Sequence, residues 1–182
     1  MSEGYLDSRM EPIAPPLVLT LKLDPTTFER VNEWRQQYFP PERNFLPAHV
    51  TLFHALPGAQ GLAIQQRLQE LCAQTPRLPL HFPTLRFLGR GVAVELRSLE
   101  FVQFRQSLAT SWRDWLSPQD RQGYRPHITI QNKVTSAEAR RLYEHLLEQW
   151  HPWDGFGEGL LLWHYLGGPW ELVQEFSFIS YE

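Results

Sequence analysis

Two short stretches of the chain place a histidine two residues before a threonine inside an apolar, largely β-branched run. They are His49-Val50-Thr51-Leu52-Phe53 and His127-Ile128-Thr129-Ile130-Gln131. Alternate side chains of a strand share a face, so His49 and Thr51 point one way while Val50 and Leu52 point the other. By the same parity His127 and Thr129 oppose Ile128 and Ile130. If the apolar sets pack under helices, a cleft between the strands is lined by two imidazoles and two hydroxyls. That set suits phosphoryl transfer without a metal. A neutral imidazole takes a proton from water or an attacking hydroxyl, and a protonated one donates to the leaving oxygen. Histidine serves both tasks because its unperturbed pKa of about 6.5 lies near working pH. The threonine hydroxyls can hydrogen-bond the non-bridging oxygens, where charge is held during displacement. A cyclic phosphodiester is a fitting target, since one P–O bond breaks while the other oxygen stays tethered.

The surrounding sequence must deliver these two strands to one place. Leu17, Leu19, Leu21 and Leu23 alternate at strand period, and Asp24-Pro25 supplies a cap and first-turn proline for a helix through Phe28, Val31, Trp34 and Tyr38. Pro40-Pro41 ends it. After the first H-x-T strand come a Pro-Gly turn and a helix near Gly61–Gln74. Leu78–Leu96 then reads as two strands joined by a Gly-Arg-Gly turn. The order repeats. A helix near Glu100–Leu116 puts Phe101, Phe104, Leu108, Trp112 and Trp115 on one face. The second H-x-T strand follows, and Thr135 to Glu138 has capping-box form before a helix bearing Leu142, Leu146 and Trp150. A last strand pair is joined by Gly167-Gly168-Pro169. Even the hairpins correspond, matching Arg86 with His164 and Phe87 with Tyr165.

This pattern predicts an α+β fold of two pseudo-symmetric lobes, each an antiparallel sheet backed by helices, with the cleft between them. Residues 1–16 read as a flexible N-terminal arm. Residues 17–182 read as one bilobal domain with repeat-related halves at about 17–97 and 98–180.

At 182 residues, 42% hydrophobic and 20% charged, the chain is globular rather than disordered. A formal charge of −3 argues against duplex DNA as an obligatory partner, while a short oligonucleotide or nucleotide needs only a few arginines in one groove. The single cysteine, Cys72, excludes an intrachain disulfide and sits on an apolar helix side with Ile64, Leu68 and Leu71. The start has no apolar core of signal-peptide length, and no apolar run is of membrane-spanning length, so a cytoplasmic protein without a membrane partner is expected. A monomer is expected too.

Further candidates flank the two motifs. His54 falls on the face opposite His49 by strand parity, with no carboxylate between them as in H-E-x-x-H, so no metal or other cofactor is expected. Phe53 and Gln131 occupy equivalent places on the predicted groove face, where one could stack on a base and the other bond its edge, unless Phe53 simply packs between lobes. Arg125 shares the parity of His127 and could reach a phosphate, with Tyr124 beside it in a loop. Arg86 and His164 either line the groove or are solvated edge residues. Trp170 is either a rim platform or a hairpin anchor. His81, His145 and His151 belong to no constellation.

The paired H-x-T strands resemble the H-x-T/S-hydrophobic motifs of the two-histidine phosphoesterase superfamily, and especially its bacterial 2′-5′ RNA ligase-like branch. The resemblance spans residues from about 17 to 180, including the repeated lobe order. It implies that His49 and His127 are the catalytic histidines and that Thr51 and Thr129 bind phosphate. It also implies RNA 2′,3′-cyclic phosphodiesterase activity on RNA ends, short oligonucleotides or cyclic nucleotides. The word ligase does not transfer literally. No G-x-x-x-x-G-K-[ST] loop is present, and neither lysine, Lys22 nor Lys133, lies in a K-x-D-G context. Cleavage or reverse joining of 2′-5′ linkages is the second enzymatic reading. A nucleotide- or RNA-end-binding module without turnover is the reading from another class.

Overall fold

Strand β1 (Leu17–Leu23) runs through the middle of the larger sheet, and this explains why it is buried on both faces rather than one. Its neighbours are β2 (Val50–Leu56) on one side and β7 (Trp153–Tyr165) on the other. The long β7 pairs on its far edge first with β3 (Leu78–Phe82) and then with β8 (Trp170–Ser177). A smaller sheet holds β4 (Leu85–Phe87), β5 (Val92–Glu95) and β6 (His127–Gln131) in that order. All pairings within the two sheets are antiparallel. This computed structural model describes residues 12–180. The greater part of the predicted arm, residues 1–11, lies outside the described residues. Residues 12–16 run past Gly58, where a Cβ would stand 2.1 Å from the Pro15 carbonyl oxygen.

Four helices cover the sheets: α1 (Pro25–Tyr38), α2 (Gly61–Cys72), α3 (Leu99–Ser111) and α4 (Ser136–Glu148). Asp24 caps α1 by accepting from the Thr27 amide at 3.0 Å, with Pro25 in the first turn. The capping box of Thr135 and Glu138 is formed at the start of α4. Helix α3 is shorter than its apolar periodicity predicts, because Arg113–Trp115 tightens into a 3-10 turn. The result is the two-lobed, helix-backed antiparallel architecture that the sequence pattern implies.

Two features depart from the pattern. Leu78–Leu96 forms three strands rather than a two-strand hairpin, since Pro83-Thr84 breaks the run and β3 joins the larger sheet. The sheets therefore do not follow the halves of the chain. Residues 17–97 and 98–180 each give strands to both, so the lobes are interlocked.

The second departure sits at the motifs. Thr51 faces Thr20 of β1, yet the next matched pair is Phe53 with Leu19, leaving Leu52 as an extra residue. Thr129 faces Ala93 of β5, and the next pair is Gln131 with Val92, leaving Ile130 extra. Each H-x-T strand thus carries a β-bulge immediately after its threonine, and beyond it the in–out alternation reverses. The second bulge brings backbone against backbone: a Cβ on Gly91 would lie 2.0 Å from the Gln131 carbonyl oxygen. Gly91→Ala is expected to destabilise the protein by about 1–3 kcal/mol, the range for overpacking a tight site. Chemical denaturation checks this.

Candidate functional site

Both H-x-T strands are edge strands, β2 of the larger sheet and β6 of the smaller, and they meet across a cleft of about 440 Å³. His49, Thr51, His127 and Thr129 all line it. The two histidines are anchored alike. The Nδ1–H of His49 donates to the carbonyl of Pro47 at 2.8 Å, and that of His127 to the carbonyl of Arg125 at 3.0 Å. In each case the carbonyl lies two residues upstream, which fixes the tautomer and leaves Nε2 for a substrate. Backbone bonding of this kind is local, so either strand alone would orient its own ring.

Two buried arginines lock the strands to each other. Arg35 of α1 donates through Nε to Asn44 Oδ1 and the Leu46 carbonyl, both at 3.0 Å, and through Nη1 to the Thr129 carbonyl at 2.9 Å. It thereby ties the loop before His49 to the opposite motif. Arg105 of α3 reaches the other way, donating to the Leu52 carbonyl at 3.3 Å and the Asp120 carbonyl at 2.7 Å. Its guanidinium also lies 4.5 Å from the Phe53 ring centre and 4.6 Å from that of Tyr124. The helix before each motif therefore grips the strand of the other. Burial lowers the pKa of Arg35 to about 10, and burial likewise lowers that of Arg105 against the raising influence of Tyr124 and Asp120. Both remain cations at neutral pH.

The predicted secondary residues separate into groups. Arg86, Tyr124 and Arg125 line the cleft. The Tyr124 hydroxyl is spent on the Thr51 carbonyl, to which it donates at 2.8 Å. Arg86 stands behind His127, with Nη1 3.3 Å from its Nδ1 and Nε 3.8 Å from Glu95. Phe53 and Gln131 do not reach the groove: the bulges turn both into the core, where Phe53 is fully buried against Trp112. His164 also lies off the cleft lining and approaches Glu171 at 3.7 Å. Trp170 does line it, with its ring centre 4.9 Å from that of His49.

The same parity reversal brings His54 into the cleft, on the side of His49 and Thr51 rather than opposite them. Its ring Nδ1 lies 3.0 Å from Asp120, a carboxylate only 2% exposed. Asp120 also accepts from the backbone amides of His54 and Ala55. Burial alone would raise the Asp120 pKa, but the hydrogen bonds from His54 and Ala55 hold it below the ordinary value. Asp120 and the two arginines escape a reading of the sequence. The available signal was an arginine on each apolar helix face, Arg35 near Val31 and Phe39, and Arg105 between Phe101 and Leu108.

Electrostatically the cleft is positive. The His49 pKa falls to about 4, chiefly by burial against the raising bond to Pro47, with the charges of Arg35, His54 and His127 adding to the fall. His127 is lowered too, first by burial and then by Arg86, His54 and Arg125, against the raising bond to the Arg125 carbonyl. Among the described residues, no group of three or more His, Cys, Asp or Glu is arranged to hold a metal ion. No described helix is long and apolar enough to cross a membrane.

This geometry has relatives. The sequence profile of the 2′-5′ RNA ligase superfamily matches residues 23–169, a span that contains both motifs and the arginines that join them. The chain belongs to that superfamily. Among solved structures, it is similar to TT0787 of Thermus thermophilus with a TM-score of 0.65 and 16% identity, over 90% of this chain and 97% of that one. It is also similar to E. coli LigT complexed with 3′-AMP, with a TM-score of 0.63 and 17% identity over 92% and 99% of the two chains. A structure described as a phosphoesterase gives a TM-score of 0.60 at 17% identity, over 92% of this chain and 99% of that one. No curated protein sequence matches. At these identities the likeness shows a shared fold, and the superfamily is one of two-histidine phosphoesterases.

Proposed function

We propose that this 2′-5′ RNA ligase superfamily member is a metal-independent phosphodiesterase that hydrolyses 2′,3′-cyclic phosphates on RNA ends or small nucleotides. The observation that carries the reading is the matched pair of imidazoles, each pinned at Nδ1 by a backbone carbonyl and each lining the same cleft. His49 is the base. Its pKa is about 4, so Nε2 is free to take a proton from water. The water oxygen attacks phosphorus, the bond to one ribose oxygen breaks, and His127 donates its Nε2 proton to that oxygen. Thr51 and Thr129 donate hydrogen bonds to the two non-bridging oxygens. Beyond His49 and Trp170, an apolar cavity of about 480 Å³ offers aromatic faces to a base. The 3′-AMP held by LigT, a protein of the same fold, supports a nucleotide as the ligand class.

The pH dependence follows from the two lowered imidazoles. In the free enzyme the reactive form carries one proton on the pair, so kcat/KM falls below the lower pKa and above the higher. The lower is about 4, and the higher lies below the ordinary 6.5. The kcat/KM optimum is therefore expected between those values, with activity declining through neutrality. A profile with its maximum above pH 7 would contradict the assignment. Incubation with adenosine 2′,3′-cyclic phosphate and with a 2′-5′ dinucleotide in EDTA tests the function itself. Turnover of the cyclic substrate is expected; cleavage of the dinucleotide alone would favour 2′-5′ scission, and turnover of neither would leave a binding module.

A further inference from the structure

The four groups just assigned meet every oxygen of the reacting phosphate except the ribose ester oxygen that stays bonded. Two hydroxyls meet its non-bridging oxygens, one imidazole serves the entering oxygen and the other the leaving oxygen. His54 is therefore a third imidazole with no entering, leaving or non-bridging oxygen of that phosphate left to meet. It lies three residues beyond Thr51, on the far side of the bulge at Leu52. The same cleft is also lined by Gln119, Asp120, Gln122, Gly123 and Arg125.

Architecture does not require a histidine at this position. Asp120 holds the edge of β2 through the backbone amides of His54 and Ala55, and any residue but proline supplies those. The ring bond is additional, and the His54 side chain is 46% exposed. With Nδ1–H directed at Asp120, the ring presents Nε2 to the cleft, backed by a buried carboxylate held ionised. Donation from Nε2 to an anionic oxygen requires the imidazolium, whose two N–H groups would then bridge Asp120 and that oxygen. Arg125 lines the same cleft, and among the described residues its guanidinium has no carboxylate partner. The nearby acids are occupied: Asp120 takes three N–H groups, and Glu95 sits between Arg86 and Arg97.

We propose that His54, oriented by Asp120, and Arg125 form a subsite for a second phosphate of the substrate, adjoining the one that reacts. This rests on the phosphodiesterase reading and narrows its substrate class. The preferred substrate is a cyclic phosphate whose nucleoside also bears a 5′-phosphate or 5′-phosphodiester, as at the end of an RNA strand, rather than a nucleoside cyclic phosphate alone.

The test is a ratio of kcat/KM for adenosine 2′,3′-cyclic phosphate with and without a 5′-phosphate. The parent protein is expected to favour the 5′-phosphorylated substrate by about tenfold or more, the worth of a charge-assisted hydrogen bond. His54→Gln and Arg125→Gln should each bring the ratio towards one. A general catalytic defect would lower both rates and leave the ratio unchanged, and that result would overturn the subsite, as would a parent ratio of one. If the parent turns over neither substrate, the phosphodiesterase reading fails by itself. Calorimetric affinities for adenosine 3′,5′-bisphosphate and 3′-AMP then supply the same ratio, with equal affinities overturning the subsite and a preference lost in both variants supporting it.

Discussion

Replacing either His49 or His127 with alanine is expected to lower kcat on a cyclic phosphodiester by about 10²–10⁴-fold, the usual worth of a positioned acid or base. Both rings are only partly buried, at the cleft surface, and each is bonded to a carbonyl two residues away, with Arg86 Nη1 also 3.3 Å from the His127 ring. The fold should survive, as a retained cooperative melting transition would demonstrate. The double variant should lose little more than the worse single one, because base and acid act in one step and their contributions are not additive. Kinetic assay of the three variants beside the parent checks this. Loss from only one single variant would mean that the cleft does not work as a pair.

The second large effect concerns stability. Arg105→Met keeps most of the side-chain volume but removes the donors to the Leu52 and Asp120 carbonyls. It also strips positive charge from beside the buried Asp120 carboxylate. Leaving buried acceptors unmet costs about 1–3 kcal/mol each, and uncovering a buried charge about 3–5. A destabilisation of about 3–5 kcal/mol is expected, a large share of the 5–15 kcal/mol that holds a typical domain together. Urea unfolding monitored by tryptophan fluorescence reads it directly. Arg105→Lys should recover little, since an ammonium cannot reproduce the forked contact or lie over Phe53 and Tyr124. A cost below about 1 kcal/mol would show that Arg105 does not join the two motifs, because surface substitutions fall in that range.

Much of this molecule is legible from its sequence, because short-range rules govern the parts concerned. The leucine alternation of β1, the Asp24-Pro25 helix start and the Thr135–Glu138 capping box each need only neighbouring residues. The pairing of His49 with His127 was legible for a different reason: the same motif recurs at the same place in a repeated order of elements. What strand parity could not reveal was the bulge. A single extra residue at Leu52 and at Ile130 reverses the alternation, so Phe53 and Gln131 enter the core while His54 turns to the cleft. The pairing register that creates a bulge is a property of two strands, and β2 and β1 are separated in the chain by all of α1. Asp120 and the two arginines were hidden for a related reason. Each acts on backbone carbonyls or amides of a distant segment, and backbone groups leave no mark in a sequence. The interlocking of the sheets, with β3 leaving its hairpin for β7, is long-range in the same sense.

The central claim is that two distant H-x-T strands make one phosphate site. A crystal structure of the parent protein grown with inorganic phosphate tests it most directly. The prediction is one phosphate in the cleft, within hydrogen-bond distance of Nε2 of both His49 and His127 and of the hydroxyls of both Thr51 and Thr129. A phosphate held by one histidine alone, with the other ring directed away, would contradict it.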